Sequence, residues 1–167
     1  GTWGLELEEG YHRVGGILSI SEHSVVREFI PLGDHPTVGQ MVRLDSYSFP
    51  DDPEAAHGIA FQEVPVSSTI GNFPAWFIDG RGGTWAIFVH GKGAKRREAL
   101  RMVATMVEAG FPSLVISYRN DEGEAASADG YHRYGQTEWE DLAAAIQYAL
   151  DNGAEDVVLV GYSMGGA

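Results

Sequence analysis

Short stretches of alternating apolar and polar residues run through the first 80 positions of the chain. They occupy residues 25–30, 41–44 and 59–64. Segments rich in Pro, Gly, Asp and Ser divide them at residues 31–34, 49–53 and 67–68. Alternation with a period of two is typical of strands, and these separators are typical of turns. The pattern predicts antiparallel strands over residues 1–80.

The pattern changes after residue 80, where continuous apolar runs alternate with helical periodicity. Runs of this kind at residues 84–89, 114–118 and 157–160 are typical of strands buried on both faces. Alternation of strand and helix requires parallel strands joined by right-handed crossovers. We therefore expect parallel strands at about residues 84–90, 113–118 and 157–161.

Two amphipathic helices are predicted between these strands. The first covers residues 95–109 and ends at Gly110. Its predicted buried face is Leu100, Val103, Ala104 and Val107. The second begins with a predicted capping box at residues 137–140 and ends at residues 151–153. Its predicted buried face is Leu142, Ala145, Ile146, Ala149 and Leu150.

A Gly-x-Ser-x-Gly motif follows the third apolar run, at residues 161–165. In a sharp turn from strand to helix, the central Ser is lifted above the sheet edge and glycines let the backbones approach closely. Ser163 is therefore the candidate catalytic nucleophile. A helix starting at about Met164 would direct its N–H groups toward an anion formed there, so the Met164 N–H is the first candidate oxyanion donor.

A glycine-containing loop follows the first apolar run, with the sequence His90-Gly91-Lys92-Gly93. In acyl-transfer hydrolases with such a Ser, the second oxyanion N–H comes from the loop after an earlier strand. The Lys92 N–H is the candidate donor, with Gly91 as the alternative. His90 opens this loop and precedes the Ser in the sequence.

These two motifs resemble the α/β-hydrolase superfamily, which includes serine esterases, lipases, thioesterases and peptidases. The resemblance covers residues 57–167 well and residues 1–56 loosely. The Ser-Met-Gly-Gly form is similar to the monoacylglycerol-lipase-like and serine-aminopeptidase-like branch. The resemblance implies that His90 shapes the loop rather than acting as the general base. The resemblance implies an α/β fold with a mostly parallel sheet flanked by helices, preceded by antiparallel strands.

The resemblance also implies a catalytic Asp or Glu and a His that follow the Ser in sequence. No residues after Ala167 are given, so we expect a single incomplete domain over residues 1–167, with residues 1–80 as its antiparallel part and residues 81–167 as its first parallel β/α units. The resemblance implies that the protein cleaves an ester, thioester or amide through an acyl-enzyme on Ser163. Residues 1–167 alone are expected to catalyse this reaction inefficiently, because the implied acid and His follow the Ser. The implied partner is a small-molecule acyl substrate, and no cofactor or metal is implied.

Two further segments are candidates for substrate binding. Five basic residues lie within ten positions, at Lys92, Lys95, Arg96, Arg97 and Arg101. They form either a solvated helix face or a site that attracts a carboxylate or phosphate on the substrate.

The long loop at residues 119–136 follows a predicted parallel strand, at the edge where such sheets bind ligands. Its Tyr131 and Tyr134 either line the acyl or leaving-group pocket or pack within the loop.

Composition narrows the possible functions. The formal net charge is −13, from 11 basic and 24 acidic residues, which disfavours nucleic acid as a partner. The sequence has no apolar run of the roughly 18 residues that a membrane helix needs. The absence of Cys is typical of a cytoplasmic enzyme. The sequence leaves the oligomeric state open.

Two other classes of protein compete with the hydrolase hypothesis. One is a non-catalytic α/β-hydrolase-fold binding or interaction protein. The other is a nucleotide-binding Rossmann-like domain, since Gly91 and Gly93 match the first two glycines of a dinucleotide fingerprint. Arg96 stands in place of the third glycine, which weakens that hypothesis. A trypsin-like order of His, Asp and Ser belongs to an all-β fold and is rejected.

Overall fold

The computed structural model describes residues 2–167, which divide into two compact units at the boundary between Asp52 and Pro53. Unit 1 is the part within residues 1–52, and unit 2 is residues 53–167. The change in sequence pattern at residue 80 lies inside unit 2, because strands that read as N-terminal and antiparallel belong to the second sheet. A single domain over residues 1–167 stays a prediction.

Unit 1 is a four-stranded antiparallel sheet with the strand order β3-β2-β1-β4. Its strands are β1 (Trp3–Glu6), β2 (Tyr11–Ile20), β3 (Val25–Ile30) and β4 (Arg43–Asp45). The Tyr11 hydroxyl donates to Asp45 Oδ2 at 2.7 Å and ties β2 to the end of β4. The antiparallel strands predicted here are confirmed, with β4 two residues later than the pattern at residues 41–44.

Unit 2 has five strands and three α-helices. The strands are β5 (Gln62–Ser68), β6 (Gly71–Ile78), β7 (Thr84–Val89), β8 (Ser113–Ile116) and β9 (Asp156–Gly161). The α-helices are α1 (Pro53–His57), α2 (Val103–Glu108) and α3 (Trp139–Asp151). Two 3-10 helices cover Arg96–Arg101 and Ser163–Gly166. No helix within residues 2–167 has an apolar stretch that could cross a membrane.

The sheet of unit 2 has the order β5-β6-β8-β7-β9, in which β7, β8 and β9 run parallel. In this sheet β7 lies between β8 and β9, and its Ile87 pairs with Leu114 on one side and Leu159 on the other. Residues 85–89 are all buried, which explains why they form an unbroken apolar run. The three predicted parallel strands and the mixed α/β fold are confirmed. Burial of the third strand on both faces is wrong, because β9 pairs only with β7 among the described strands, and Val158 and Leu159 are 39% and 49% exposed.

The first predicted helix is interrupted, and its prediction as one continuous α-helix is wrong. A 3-10 segment at Arg96–Arg101 ends at Met102, whose φ of −131° and ψ of −16° lie outside the helical region, and α2 follows. The predicted buried face survives, because Leu100 and Val103 are both fully buried. A stripe of apolar residues fits either geometry, so periodicity alone does not reveal the break.

The second predicted helix is α3, and Ala145 and Ala149 of its predicted buried face are fully buried. Leu150 is 44% exposed, so its assignment to that face is wrong. Each residue turns about 100° around a helix, and Leu150 lies that far from Ala149.

The start of α3 also differs from the prediction, because no capping box forms. The residue before α3 is Glu138, and it makes no side-chain capping bond to the helix. Thr137 Oγ1 is buried and has no hydrogen-bond partner among residues 2–167, and the Glu140 carboxylate instead accepts from Thr69 and Arg119. Tertiary partners of Glu140 therefore replace the local capping pair.

Candidate active site

Ser163 stands at the turn between β9 and the last 3-10 helix, with a φ of +50°. Non-glycine residues rarely adopt this left-handed conformation, which costs of order 1–3 kcal/mol and occurs often at functional sites. Ser163 is solvent-exposed, whereas the adjacent Met164 is buried in the core. The turn therefore presents the Ser163 side chain to solvent from a fixed base.

The two glycines of the motif stand where the backbone closes on itself. A β-carbon on Gly161 would lie 2.4 Å from the Gly165 carbonyl oxygen. A β-carbon on Gly165 would lie 2.3 Å from the Val89 carbonyl oxygen. Both distances are impossible for a real side chain, so the turn requires glycine at both positions. The second contact also shows that the turn packs directly against the end of β7.

The loop after β7 lies against the Ser163 turn. A β-carbon on Gly91 would lie 3.1 Å from Ser163 Cβ and 3.1 Å from the Tyr162 carbonyl oxygen. The Gly91 N–H donates to Glu98 Oε2 at 2.8 Å. The Gly91 N–H, which is the alternative to Lys92 as oxyanion donor, is thus already bonded to a carboxylate. Within residues 2–167, the N–H groups of Lys92 and Met164 and the Ser163 hydroxyl have no hydrogen-bond partner.

His90 fixes the orientation of the Gly91–Lys92 peptide. Its Nδ1 lies 2.9 Å from the Gly91 carbonyl oxygen. In a trans peptide the C=O and the following N–H point in opposite directions. The Lys92 N–H is therefore directed away from the His90 ring.

A buried network holds His90 itself. Nε2 of His90 lies 2.9 Å from Asp121 Oδ2, and the same oxygen accepts from the Tyr118 N–H at 3.0 Å. The Tyr118 ring stacks on the His90 ring at 4.4 Å, and its hydroxyl donates to the His90 carbonyl at 2.7 Å. Burial, followed by the charge of Asp121, raises the pKa of Tyr118 well above its ordinary value of 10.0, so the hydroxyl stays a donor.

Both ring nitrogens of His90 are therefore in contact with oxygens, one on Gly91 and one on Asp121. Neutral imidazole has a single N–H, so only the protonated ring donates to both oxygens at once. Neither nitrogen bonds to Ser163. The arrangement suits a residue that shapes the loop, as expected from the sequence.

The long loop after β8 is anchored by a buried ion pair at its start. Arg119 is 4% exposed, and its Nε donates to Asp141 Oδ2 at 2.8 Å. A second guanidinium nitrogen donates to Glu140 Oε2 at 2.7 Å. Hydrogen bonding by Arg119, then by Thr69, lowers the pKa of Glu140 below its ordinary range. These contacts connect the loop to α3.

The two tyrosines predicted to bind substrate occupy different places in this loop. The Tyr134 ring lies 5.4 Å from Lys92 Nζ, so the loop reaches the residue that carries the candidate oxyanion donor. The Tyr131 side chain is 71% exposed, and its carbonyl accepts from Asn120 Nδ2 within the loop at 3.2 Å. The structure brings Tyr134 to the candidate site and shows no such contact for Tyr131.

Sequence reasoning missed three acidic residues that organise this region. Asp121 was assigned only to the loop, Glu98 to a helix, and Glu138 to a capping box. Asp121 follows β8 and His90 follows β7, and the carboxyl ends of these parallel strands lie at the same edge of the sheet. The sequence could therefore have indicated that Asp121 lies near His90. The bond from Glu98 to Gly91 leaves no signal in the sequence. Among residues 2–167, no three His, Asp or Glu side chains are grouped so that they could hold a metal ion.

Solved structures that are similar to this chain are α/β hydrolases of low sequence identity. An esterase of Pyrococcus furiosus is 21% identical with a TM-score of 0.60, over 70% of this chain and 47% of that chain. A lidless α/β serine hydrolase of Xanthomonas campestris is 20% identical with a TM-score of 0.53, over 63% of this chain and 51% of that chain. No protein-family model and no curated protein matches the chain.

These likenesses show that the chain has the α/β-hydrolase fold. The match covers about half the length of these two structures. The expectation of a mostly parallel sheet preceded by antiparallel strands agrees with this fold.

Proposed function

We propose that the protein containing this chain is a serine hydrolase that cleaves an ester, thioester or amide through an acyl-enzyme at Ser163. The observation that carries the proposal is the strained, exposed Ser163 turn, which lies beside a loop whose Lys92 N–H has no acceptor among the described residues. Such strain persists only where the surrounding structure enforces it. Here the close contacts of Gly161 and Gly165 enforce it.

The reaction proceeds in two steps. Ser163 Oγ attacks the carbonyl carbon while its proton passes to a general base, and the carbonyl oxygen becomes an oxyanion. The Lys92 and Met164 N–H groups stabilise that oxyanion, and losing one such donor costs about 2.7–4 kcal/mol in barrier. The leaving group departs with the proton, and water then hydrolyses the acyl-enzyme by the same sequence of proton transfers.

We place the general base and its orienting carboxylate outside residues 2–167. No His or carboxylate among those residues hydrogen-bonds to Ser163 Oγ, and both nitrogens of His90 have other partners. The match covers only 47% of the Pyrococcus furiosus esterase, which leaves room for further catalytic residues. Residues 1–167 alone are then expected to be inefficient, because a Ser hydroxyl without a base is a weak nucleophile.

A fluorophosphonate probe tests the proposal. The full-length protein should be labelled at Ser163, and Ser163→Ala should abolish both labelling and hydrolysis of p-nitrophenyl butyrate. A full-length protein without labelling would favour the non-catalytic binding protein. Equally rapid labelling of residues 1–167 would contradict only the assignment of the base to a residue outside this chain.

A further inference from the structure

The basic residues next to the candidate site differ in their partners. Lys95 Nζ lies 2.8 Å from Glu122, and Arg96 lies 3.1 Å from Glu63 with its guanidinium over the Trp76 ring. Lys92 differs, since no carboxylate among residues 2–167 lies within 4.0 Å of its ammonium. This is notable in a chain with 24 acidic residues.

The contact of the Lys92 ammonium is the face of the Tyr134 ring, at 5.4 Å from the centroid. A ring face attracts a cation but leaves its charge unneutralised. Both residues are exposed, and Tyr134 is 60% exposed. The remaining N–H donors of the ammonium are thus free to bond an arriving anion.

Tyr134 is held in an unusual conformation by a carboxylate. Glu138 Oε1 accepts from the Arg133 N–H at 2.7 Å, and Oε2 accepts from the Gly135 N–H at 3.0 Å. These bonds bracket Tyr134, whose φ is +52°. A non-glycine residue in this region costs free energy, so the position of the ring is enforced rather than incidental.

The same loop touches the end of the Ser163 turn. A β-carbon on Gly135 would lie 3.1 Å from the Ala167 carbonyl oxygen. Lys92 therefore carries two groups that a substrate could contact. One is its backbone N–H, the candidate oxyanion donor, and the other is its ammonium, which lies beside Tyr134.

From this arrangement we propose that Lys92 and Tyr134 form a subsite for an anionic group on the acyl part of the substrate, so that half-esters of dicarboxylic acids are preferred. The proposal rests on the serine hydrolase function above. The reacting carbonyl binds at the Lys92 N–H, and the distal carboxylate pairs with the ammonium. The products are the dicarboxylate and the alcohol, as in any ester hydrolysis by this route.

The test compares two esters in the full-length protein. One is the mono-p-nitrophenyl ester of glutarate, which keeps a free carboxylate. The other is methyl p-nitrophenyl glutarate, a neutral diester with the same acyl chain and leaving group, in which that carboxylate is a methyl ester. We expect the ratio of kcat/KM, anionic over neutral, to fall about fivefold in Lys92→Met, as suits a solvent-exposed charge pair. Lys92→Arg should keep the ratio, and so should the matched control Lys95→Met.

The salt dependence of the same ratio is a second measurement. Raising the salt toward 1 M, where the screening length is about 3 Å, screens both the attraction to Lys92 and the repulsion by the net charge of −13. The repulsion is nearly the same in Lys92→Met, so with rising salt the ratio of the unaltered protein should approach that of Lys92→Met. A ratio that is equal in the two proteins at low salt, or a difference between them that does not shrink with salt, overturns the subsite. So does an equal loss in Lys95→Met, since that would reflect the general field of the basic segment.

The same measurements distinguish failure of the serine hydrolase proposal from failure of the subsite alone. If both esters are hydrolysed equally well by Ser163→Ala, or if no form of the protein hydrolyses either ester, the serine hydrolase assignment fails and the subsite with it. If Ser163→Ala abolishes hydrolysis while the kcat/KM ratio is the same in Lys92→Met and the unaltered protein, only the subsite fails.

Discussion

At the scale of single residues, the Ser163 turn depends on space as much as on backbone freedom. Gly165 and Gly166 are adjacent in sequence, yet their surroundings differ. A β-carbon on Gly165 would meet the Val89 carbonyl oxygen at 2.3 Å, whereas the nearest atom to a β-carbon on Gly166 is 3.8 Å away. Only Gly165 is required by the contact between the turn and β7.

Gly165→Ala should therefore destabilise the protein, and Gly166→Ala is its matched control. We expect a loss of roughly 1–3 kcal/mol for Gly165→Ala, as for other substitutions that overfill a packed site. Gly166→Ala should change the free energy of unfolding by less than about 0.5 kcal/mol. Urea unfolding of the two variants measures the difference, and equal effects would contradict the close contact.

Glu98 is expected to act as a positioning residue, because it accepts the Gly91 N–H next to the Lys92 donor. Glu98→Ala should lower kcat on p-nitrophenyl butyrate about tenfold with little change in KM, since a misplaced oxyanion donor loses part of its effect in the transition state. Glu98→Gln keeps an acceptor oxygen and should restore most of kcat.

The exposed Glu108→Ala serves as the control for Glu98→Ala. A Glu98→Ala variant that loses stability but keeps its kcat would show that the carboxylate only supports the fold. Because the measurement separates kcat from KM, it distinguishes positioning of the donor from substrate binding.

At the scale of elements, the start of α3 shows how tertiary contacts override a local motif. The Thr137–Glu140 sequence satisfies the rule for a capping box. In the fold, however, Arg119 enters from the end of β8 and binds Glu140 together with Asp141. A buried guanidinium needs carboxylate partners, and this requirement outweighs the modest free energy of a helix cap.

Thr137→Val should consequently be nearly neutral. Thr137 Oγ1 has no partner among the described residues, so the substitution removes a buried hydroxyl without breaking a bond. We expect the free energy of unfolding to change by less than about 0.5 kcal/mol, whereas loss of a true cap costs about 1 kcal/mol. A loss of the larger size in urea unfolding would mean that Thr137 caps α3 after all.

The loop before α3 should depend on pH through Glu138. Burial by itself raises the pKa of Glu138, but hydrogen bonds from backbone N–H groups, including those of Arg133, Thr137 and Gly135, bring the pKa below its ordinary 4.5. A pKa lowered in the folded state contributes stability above about pH 4.5, and this contribution disappears as the pH falls through the folded pKa.

Glu138→Gln should therefore be less stable than the unaltered protein at pH 7, by roughly 1–3 kcal/mol for the loss of charged hydrogen bonds. The difference should shrink as the pH falls below about 4.5, because the unaltered side chain is then protonated as well. Urea unfolding at several pH values measures this, with Glu108→Gln as an exposed control. A difference that stays constant with pH would contradict the role of the Glu138 charge.

At the scale of the whole molecule, the chain contains one sheet in unit 1 and another in unit 2. The sequence predicts a single domain, and calorimetry tests it. A single domain should give one cooperative transition in which the calorimetric and van't Hoff enthalpies agree. Two resolved transitions, or survival of one unit after proteolysis near the boundary at Asp52 and Pro53, would show that the units fold separately.

Much of the sheet in unit 2 could be predicted from the sequence, because β7 and β8 are buried and form continuous apolar runs. The run from Trp85 to Val89 predicted β7 for this reason, and the glycines around Ser163 predicted a crowded turn. The interruption at Met102 could not be predicted, since an apolar stripe is compatible with α- and 3-10 geometry. The boundary between units at residue 52 looks like any other turn in the sequence pattern, although the family resemblance weakens close to it, before residue 57.

The sequence by itself determined the positions of β7, β8 and β9, the turn that presents Ser163 and the loop that follows β7. These features depend on local patterns of apolar residues and glycine, which are readable along the chain. Only the tertiary structure decided which carboxylate meets which partner: Glu98 on the Gly91 N–H, Asp121 on His90, and Glu138 around Tyr134. Polar contacts between distant segments depend on where the fold brings side chains together, and no periodicity along the sequence records that.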